Sequence, residues 1–269
     1  MKNMTLCTML VEQDGEFINH IFLTADTRII KGERSTENFT DQGQKIFNFT
    51  KEVIVAIAGD YSWFLNQIKP IIETKISTLK LSQKTPEYIL TIIKEILFTN
   101  SSDKQYDLDI FVIIRDVISK NLYSYVLKSS GNFNHQELGK GLHLIGLDTV
   151  KQNEFRIAYK KYTEEFKSDP KKPFNDVVPI LRTYYALPSE DISTFVTALS
   201  IDRTSWRALD IESSPDDGVT WIYDTSMEGI IWSRSVNERE ISRTTTNIEK
   251  IKYDLNTRMG SSKRSLNKR

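Results

Sequence analysis

Residues 4–60 read MTLCTMLVEQDGEFINHIFLTADTRIIKGERSTENFTDQGQKIFNFTKEVIVAIAGD, and two strand-turn-strand patterns lie in this stretch. In the first, TLCTMLV and FINHIFLTAD flank Asp14-Gly15, a pair that favours a tight turn because glycine accepts a positive φ without steric cost. In the second, Lys45 opens the run KIFNF, Thr50-Lys51-Glu52 makes a polar turn, and VIVAIAG follows from Val53. Within KIFNF, Ile46 and Asn48 fall on one face and Phe47 and Phe49 on the other. VIVAIA is apolar at every position, the pattern of a strand buried on both faces.

Several residues here carry chemistry as well as structure. A threonine hydroxyl is a poor nucleophile near neutral pH and needs a base close by; a free α-amino group, with a pKa of about 8, can serve. A lysine beside such an amine biases its protons by like-charge repulsion, and a carboxylate holds the lysine. A glycine lets a backbone N–H approach a developing oxyanion closely. The stretch holds a threonine (Thr5), a carboxylate (Asp26), a lysine (Lys45) and a glycine (Gly59) where strands begin or end.

That order, with the DG hairpin, the TADTR segment, the KIF strand and AIAG before a helix, resembles β-type proteasome subunits and the peptidase of the bacterial two-component ATP-dependent protease. The resemblance covers about residues 4 to 200 and implies an α+β fold, the four-layer α-β-β-α sandwich of the N-terminal-nucleophile hydrolases. It further implies Thr5 as nucleophile, Asp26 as supporting carboxylate, Lys45 as the ammonium beside the base and Gly59 as an oxyanion donor. Asp191 and Ser193, between a helix and the strand after it, correspond to a further Asp and Ser next to the nucleophile. The run from Gly15 to Asp26 is several residues longer than the family's hairpin. Leu147-Asp148 stand where active members place a serine after Ile-Gly, with Asp148 or Thr149 as substitutes for it.

The resemblance implies no cofactor and no metal. It implies a peptide or unfolded protein substrate, assembly into a homo-oligomeric ring and an ATP-driven unfoldase as partner. The chemistry requires Thr5 to be the first residue, reached by self-cleavage after Met4 or by methionine removal if translation starts at Met4. Two other readings remain open: a catalytically inactive subunit used for assembly or partner binding, and an amidase of the same group acting on a small molecule. Each of the four residues also has an ordinary reading, as a strand, turn or surface residue.

At 269 residues, with 39% hydrophobic side chains, 13 Phe and 11 Tyr, the chain can bury a large core. Its 36 basic and 36 acidic side chains balance, which gives no electrostatic reason for a nucleic-acid partner. The sequence has no apolar run of membrane-spanning length and no secretion signal near Met1, so a cytoplasmic protein is expected, and the single Cys7 agrees with a reducing compartment. Cys7 inside an apolar strand reads as packing rather than as a nucleophile. His20, His135 and His143 lack metal-ligand spacing.

Along the chain, YSWFLNQIKPIIETKI has helical spacing of Phe64, Ile68, Ile71, Ile72 and Ile76, with a kink or break expected at Pro70. Thr85-Pro86-Glu87 marks a helix start, and Ile89, Ile92, Ile93, Ile96 and Leu97 form its apolar stripe. IFVIIRD is a second strand buried on both faces, followed by hairpin and strand runs ending at Gly146. A helix from Thr149, with Phe155, Ala158, Tyr159, Tyr162 and Phe166 inward, and another over residues 176–185, with Val177, Ile180, Leu181 and Tyr184 inward, form a second helical set. Later strands are expected in FVTALSI, RTSWRALDIE, VTWIYD and GIIWSRS, with Trp206, Trp221 and Trp232 as core or subunit-contact residues. The expected division is a leader over residues 1–4, a catalytic-type domain over 5–235, and a C-terminal arm with a basic, disordered tail over 236–269.

Overall fold

The computed structural model describes residues 5–26, 29–30, 39–40, 44–101, 106–168, 177–186, 196–203, 206–213 and 220–224. The leader and the C-terminal arm, with Trp232 and the GIIWSRS run, lie outside them.

The first hairpin forms as its turn chemistry dictates. Strands β1 (Cys7–Asp14) and β2 (Phe17–Asp26) pair antiparallel, and Asp14 lies opposite Phe17 across a two-residue loop. Gly15, at the first loop position, has φ +59°, the conformation that the hairpin requires there. Short strands β3 (Ile29–Ile30) and β4 (Phe39–Thr40) pair with each other. The second hairpin follows as β5 (Ile46–Asn48) and β6 (Val53–Gly59), and its turn is tied by the Thr50 hydroxyl, which accepts from the Glu52 and Val53 N–H groups.

The helical run after Gly59 does not break at Pro70. It starts as α1 (Tyr61–Trp63), passes through a π turn over Phe64–Ile68 and continues as α2 (Lys69–Ser77). Proline has no N–H for the usual bond, and the wide turn just before it absorbs the irregularity while Phe64, Ile68, Ile72 and Ile76 stay buried. Helix α3 (Pro86–Ser101) begins where the sequence predicts: the Thr85 hydroxyl accepts from the Tyr88 N–H, and proline occupies the first helical position.

Strands β7 (Leu108–Arg115), β8 (Leu122–Lys128), β9 (His135–Glu137) and β10 (Gly141–Ile145) come next, then helices α4 (Thr149–Ser168) and α5 (Val177–Ala186). Strands β11 (Val196–Asp202), β12 (Trp206–Ser213) and β13 (Thr220–Asp224) complete the described chain. The result is a mixed α/β molecule with antiparallel pairing. One hydrogen-bonded path runs β13-β12-β11-β2-β8-β7-β6-β5, with β1 joining β2 to β10 and β9 beside β8. The join between its two halves is a single pair, Ile18 opposite Leu122.

Side-chain alternation shows why β6 and residues 110–114 of β7 are apolar throughout. Val53, Val55 and Ile57, with Leu108, Ile110, Val112 and Ile114, face a cluster shared with Phe64, Ile68, Ile72, Ile89 and Ile93 of the helical segments α1 to α3. The opposite faces, with Ile54, Ala56, Ala58, Phe111 and Ile113, meet Cys7, Met9, Val11, Ile21, Leu23 and Leu199 in a second cluster. A third cluster joins the other side of β1, β2 and β11, through Leu10, Phe22 and Ala198, to Phe155, Ile180 and Tyr184 of α4 and α5. Each strand half is therefore covered on both sides.

Candidate active site

Thr5 sits just before β1, Asp26 ends β2, and Lys45 immediately precedes β5. The two hairpins thus deliver these residues from opposite sides of the middle cluster to one point. Lys45 Nζ donates to Asp26 Oδ1 at 2.9 Å and to Thr5 Oγ1 at 3.2 Å. All three are buried, with Lys45 2% and Asp26 0% exposed. Buried charges cost several kcal/mol each when taken from water, so such a pair persists only with close geometry and added hydrogen bonds. Asp26 Oδ1 gains one, accepting from the Leu6 N–H at 2.9 Å.

The backbone fixes the same corner. The Asp26 N–H donates to the Leu6 carbonyl at 3.0 Å, so Leu6 and Asp26 bond reciprocally. On the lysine side, the Ile57 N–H donates to the Lys45 carbonyl at 3.0 Å. The Cys7 thiol donates across the gap to the Ile57 carbonyl at 3.1 Å, and burial pushes its pKa well up, so it is a packed thiol rather than a thiolate.

Two glycines bring backbone close at this end of the strands. Gly146, just past β10 with φ +92°, lies against the Thr5 carbonyl; a Cβ there would overlap the Thr5 oxygen and come within 2.6 Å of the Ala58 methyl. Gly59, next to Ala58, has φ +122°, and a Cβ there would overlap the Asp107 carbonyl. The need for glycine at 59 therefore arises from the approach of β6 to the start of β7.

The substitutes for the missing serine have other duties. Asp148 Oδ1 accepts from the Lys151 N–H at 2.9 Å and so caps α4, Thr149 is the exposed first residue of that helix, and Leu147, at the serine position itself, is buried in the third cluster. Asp191 and Ser193 lie outside the described residues.

Sequence reasoning placed Tyr184 on the inner face of its helix and passed over Thr8 and Thr24. The structure links them to the site: Thr8 Oγ1 and Thr24 Oγ1 are 2.6 Å apart, Thr24 donates to the Tyr184 oxygen at 3.0 Å, and Tyr184 donates to the Leu6 carbonyl at 3.2 Å. The available signal was one threonine inside the apolar stretch of each strand, CTMLV in β1 and IFLTA in β2.

Fold and site together define a mixed α/β protein whose antiparallel strands converge on a buried threonine, lysine and aspartate. No protein-family model matches the chain, and no curated protein matches it. Among solved structures, the Anbu (Gly-1) mutant from Hyphomicrobium sp. strain MC1 is similar in fold, at 10% identity and a TM-score of 0.53, covering 98% of this chain and 100% of that chain. Among the described residues no group of His, Cys, Asp and Glu could hold a metal, and no helix is long and apolar enough to cross a membrane.

Proposed function

We propose that the chain is a proteasome-like threonine peptidase whose nucleophile is Thr5, active once Thr5 is the first residue. The observation that carries this reading is the buried contact of Lys45 Nζ with both Thr5 Oγ1 and Asp26 Oδ1. The three apolar clusters in series support a four-layer α-β-β-α arrangement, and the fold likeness to Anbu agrees with it.

In this mechanism the Thr5 hydroxyl attacks a peptide carbonyl and passes its proton to the Thr5 α-amine. The Lys45 ammonium disfavours protonation of that amine beforehand, and Asp26 holds the ammonium in place. The Gly59 N–H stabilises the oxyanion. Collapse of the tetrahedral species breaks the C–N bond, the leaving amine takes the proton from the α-ammonium, and an ester on Thr5 remains. Water, with the α-amine again as base, hydrolyses that ester and restores the threonine. The assignment of Asp191 and Ser193 to the support of the amine rests on the resemblance alone. Self-assembly into a ring and delivery of unfolded chains by an ATP-driven unfoldase belong to the same proposal.

A catalytically silent subunit is the second reading. It is favoured by the use of Asp148 as a helix cap and by the exposure of Thr149, the two polar residues that could stand in for the serine. Intact mass of untagged protein separates the two, since only the enzyme begins at Thr5. Peptide turnover by a form beginning at Thr5, lost in Thr5→Ala and retained in Thr5→Ser, is the expected result. No turnover of peptides or small amides by that form would sink the enzymatic reading, and turnover of small amides alone would move it to an amidase.

A further inference from the structure

The hydroxyls of Thr8, Thr24 and Tyr184 are buried, and they form a chain that ends on the backbone directly after Thr5. Its direction follows from counting protons. The Leu6 carbonyl can only accept, so the Tyr184 phenol spends its proton there. Thr24 must then donate to the phenol oxygen, and Thr8 to Thr24. Burial raises the Tyr184 pKa well above that of an exposed tyrosine, so the phenol remains a donor over the whole working pH range.

We propose that Tyr184 is a positioning residue for Thr5: its oriented phenol clamps the Leu6 carbonyl and so holds the nucleophile in register with Lys45. The inference rests on the peptidase reading above. The backbone of Leu6 is gripped on both sides of its Cα, through the peptide that precedes it and the one that follows. Its N–H is held by the Asp26 carboxylate, and its carbonyl is held by the Asp26 N–H and the Tyr184 phenol. The phenol comes from α5, which belongs to neither hairpin. Its ring packs edge-on against Phe155 of α4, with centroids 5.4 Å apart, so the α4–α5 pair, beyond its apolar packing, hydrogen-bonds the backbone beside the nucleophile through this phenol. Without the third grip, Leu6 can shift along β1, and the Thr5 Oγ1 to Lys45 Nζ distance of 3.2 Å shifts with it.

The test uses the full chain in the form beginning at Thr5. Tyr184→Phe keeps the ring and its Phe155 contact and removes only the donor. The expected result is a kcat lower by about tenfold or more with KM little changed, because a small misplacement of a reacting atom is enough. Hydrogen exchange should quicken at the Leu6 and Asp26 amides while the central β7 amides keep their rates. Thr24→Val, which removes the hydroxyl orienting the phenol, should move both readouts the same way by less. Unchanged kcat, or exchange that quickens uniformly through the sheet, would overturn the proposal and leave Tyr184 as ordinary packing. If the unaltered protein turns over no peptide, the peptidase reading fails on its own, and the exchange measurements still decide whether the clamp exists.

Discussion

A lysine and an aspartate buried together are worth most to the fold when neither can be removed alone. Lys45→Met deletes the ammonium beside the Asp26 carboxylate, and breaking a buried pair of this kind costs about 3–5 kcal/mol. Chemical denaturation should show that loss. The double variant Lys45→Met with Asp26→Asn should recover much of the stability without recovering activity, which would assign the pair to chemistry rather than to holding the fold. Gly146→Ala should also be strongly destabilising, since the residue combines a positive φ with direct contact on the Thr5 carbonyl. A thermal melt close to that of the unaltered protein would count against the close approach described at that corner.

At the scale of elements, caps and buried titrating groups decide local stability. Thr85→Ala removes the side-chain cap of α3 and should cost about 0.5–2 kcal/mol, readable as a lowered denaturation midpoint. On β10, His143 lies with Nε2 2.7 Å from the Gly139 carbonyl, and burial holds its pKa below the ordinary 6.5, with the Arg156 charge acting the same way. A lowered folded value means that the unfolded chain binds more protons. The contribution of His143 is therefore intact above about 6.5 and is lost as pH falls through the lowered folded value. Thermal melts on both sides of that window should show His143→Gln with a shallower loss on acidification than the unaltered protein. Elements also mark the limits of what the sequence showed. The double-sided burial of β6 and of residues 110–114 in β7 was legible because an unbroken apolar run of strand length has few other causes. The strand β9 was not, since His135, Gln136 and Glu137 are all exposed and carry no alternation. The π turn before Pro70 was invisible because a wide turn leaves the apolar stripe on one face.

For the whole molecule, Thr5, Asp26, Lys45 and Gly59 could be singled out only by their joint order along the chain, and the structure joins the first three by hydrogen bonds. The hydroxyl chain through Tyr184 could not, since it depends on pairing residues up to 178 positions apart. The same holds for Gly146 against Thr5, which needs β1 and β10 to be neighbours. Both halves of the site also depend on packing far from it. Ile113→Ala, in the middle cluster, should cost about 2–5 kcal/mol and lower activity in the form beginning at Thr5, although Ile113 touches none of the reacting groups. Stability loss with full specific activity of the remaining folded protein would refute that link.

The single pair Ile18–Leu122 joins the two halves of the sheet, while Thr5 and Asp26 belong to one half and Lys45 to the other. What keeps the halves in register is chiefly apolar side chains, whose attraction weakens as water cools. The lysine bridge therefore spans a joint that is softest in the cold, and chilling should slacken the site while every strand ladder stays closed.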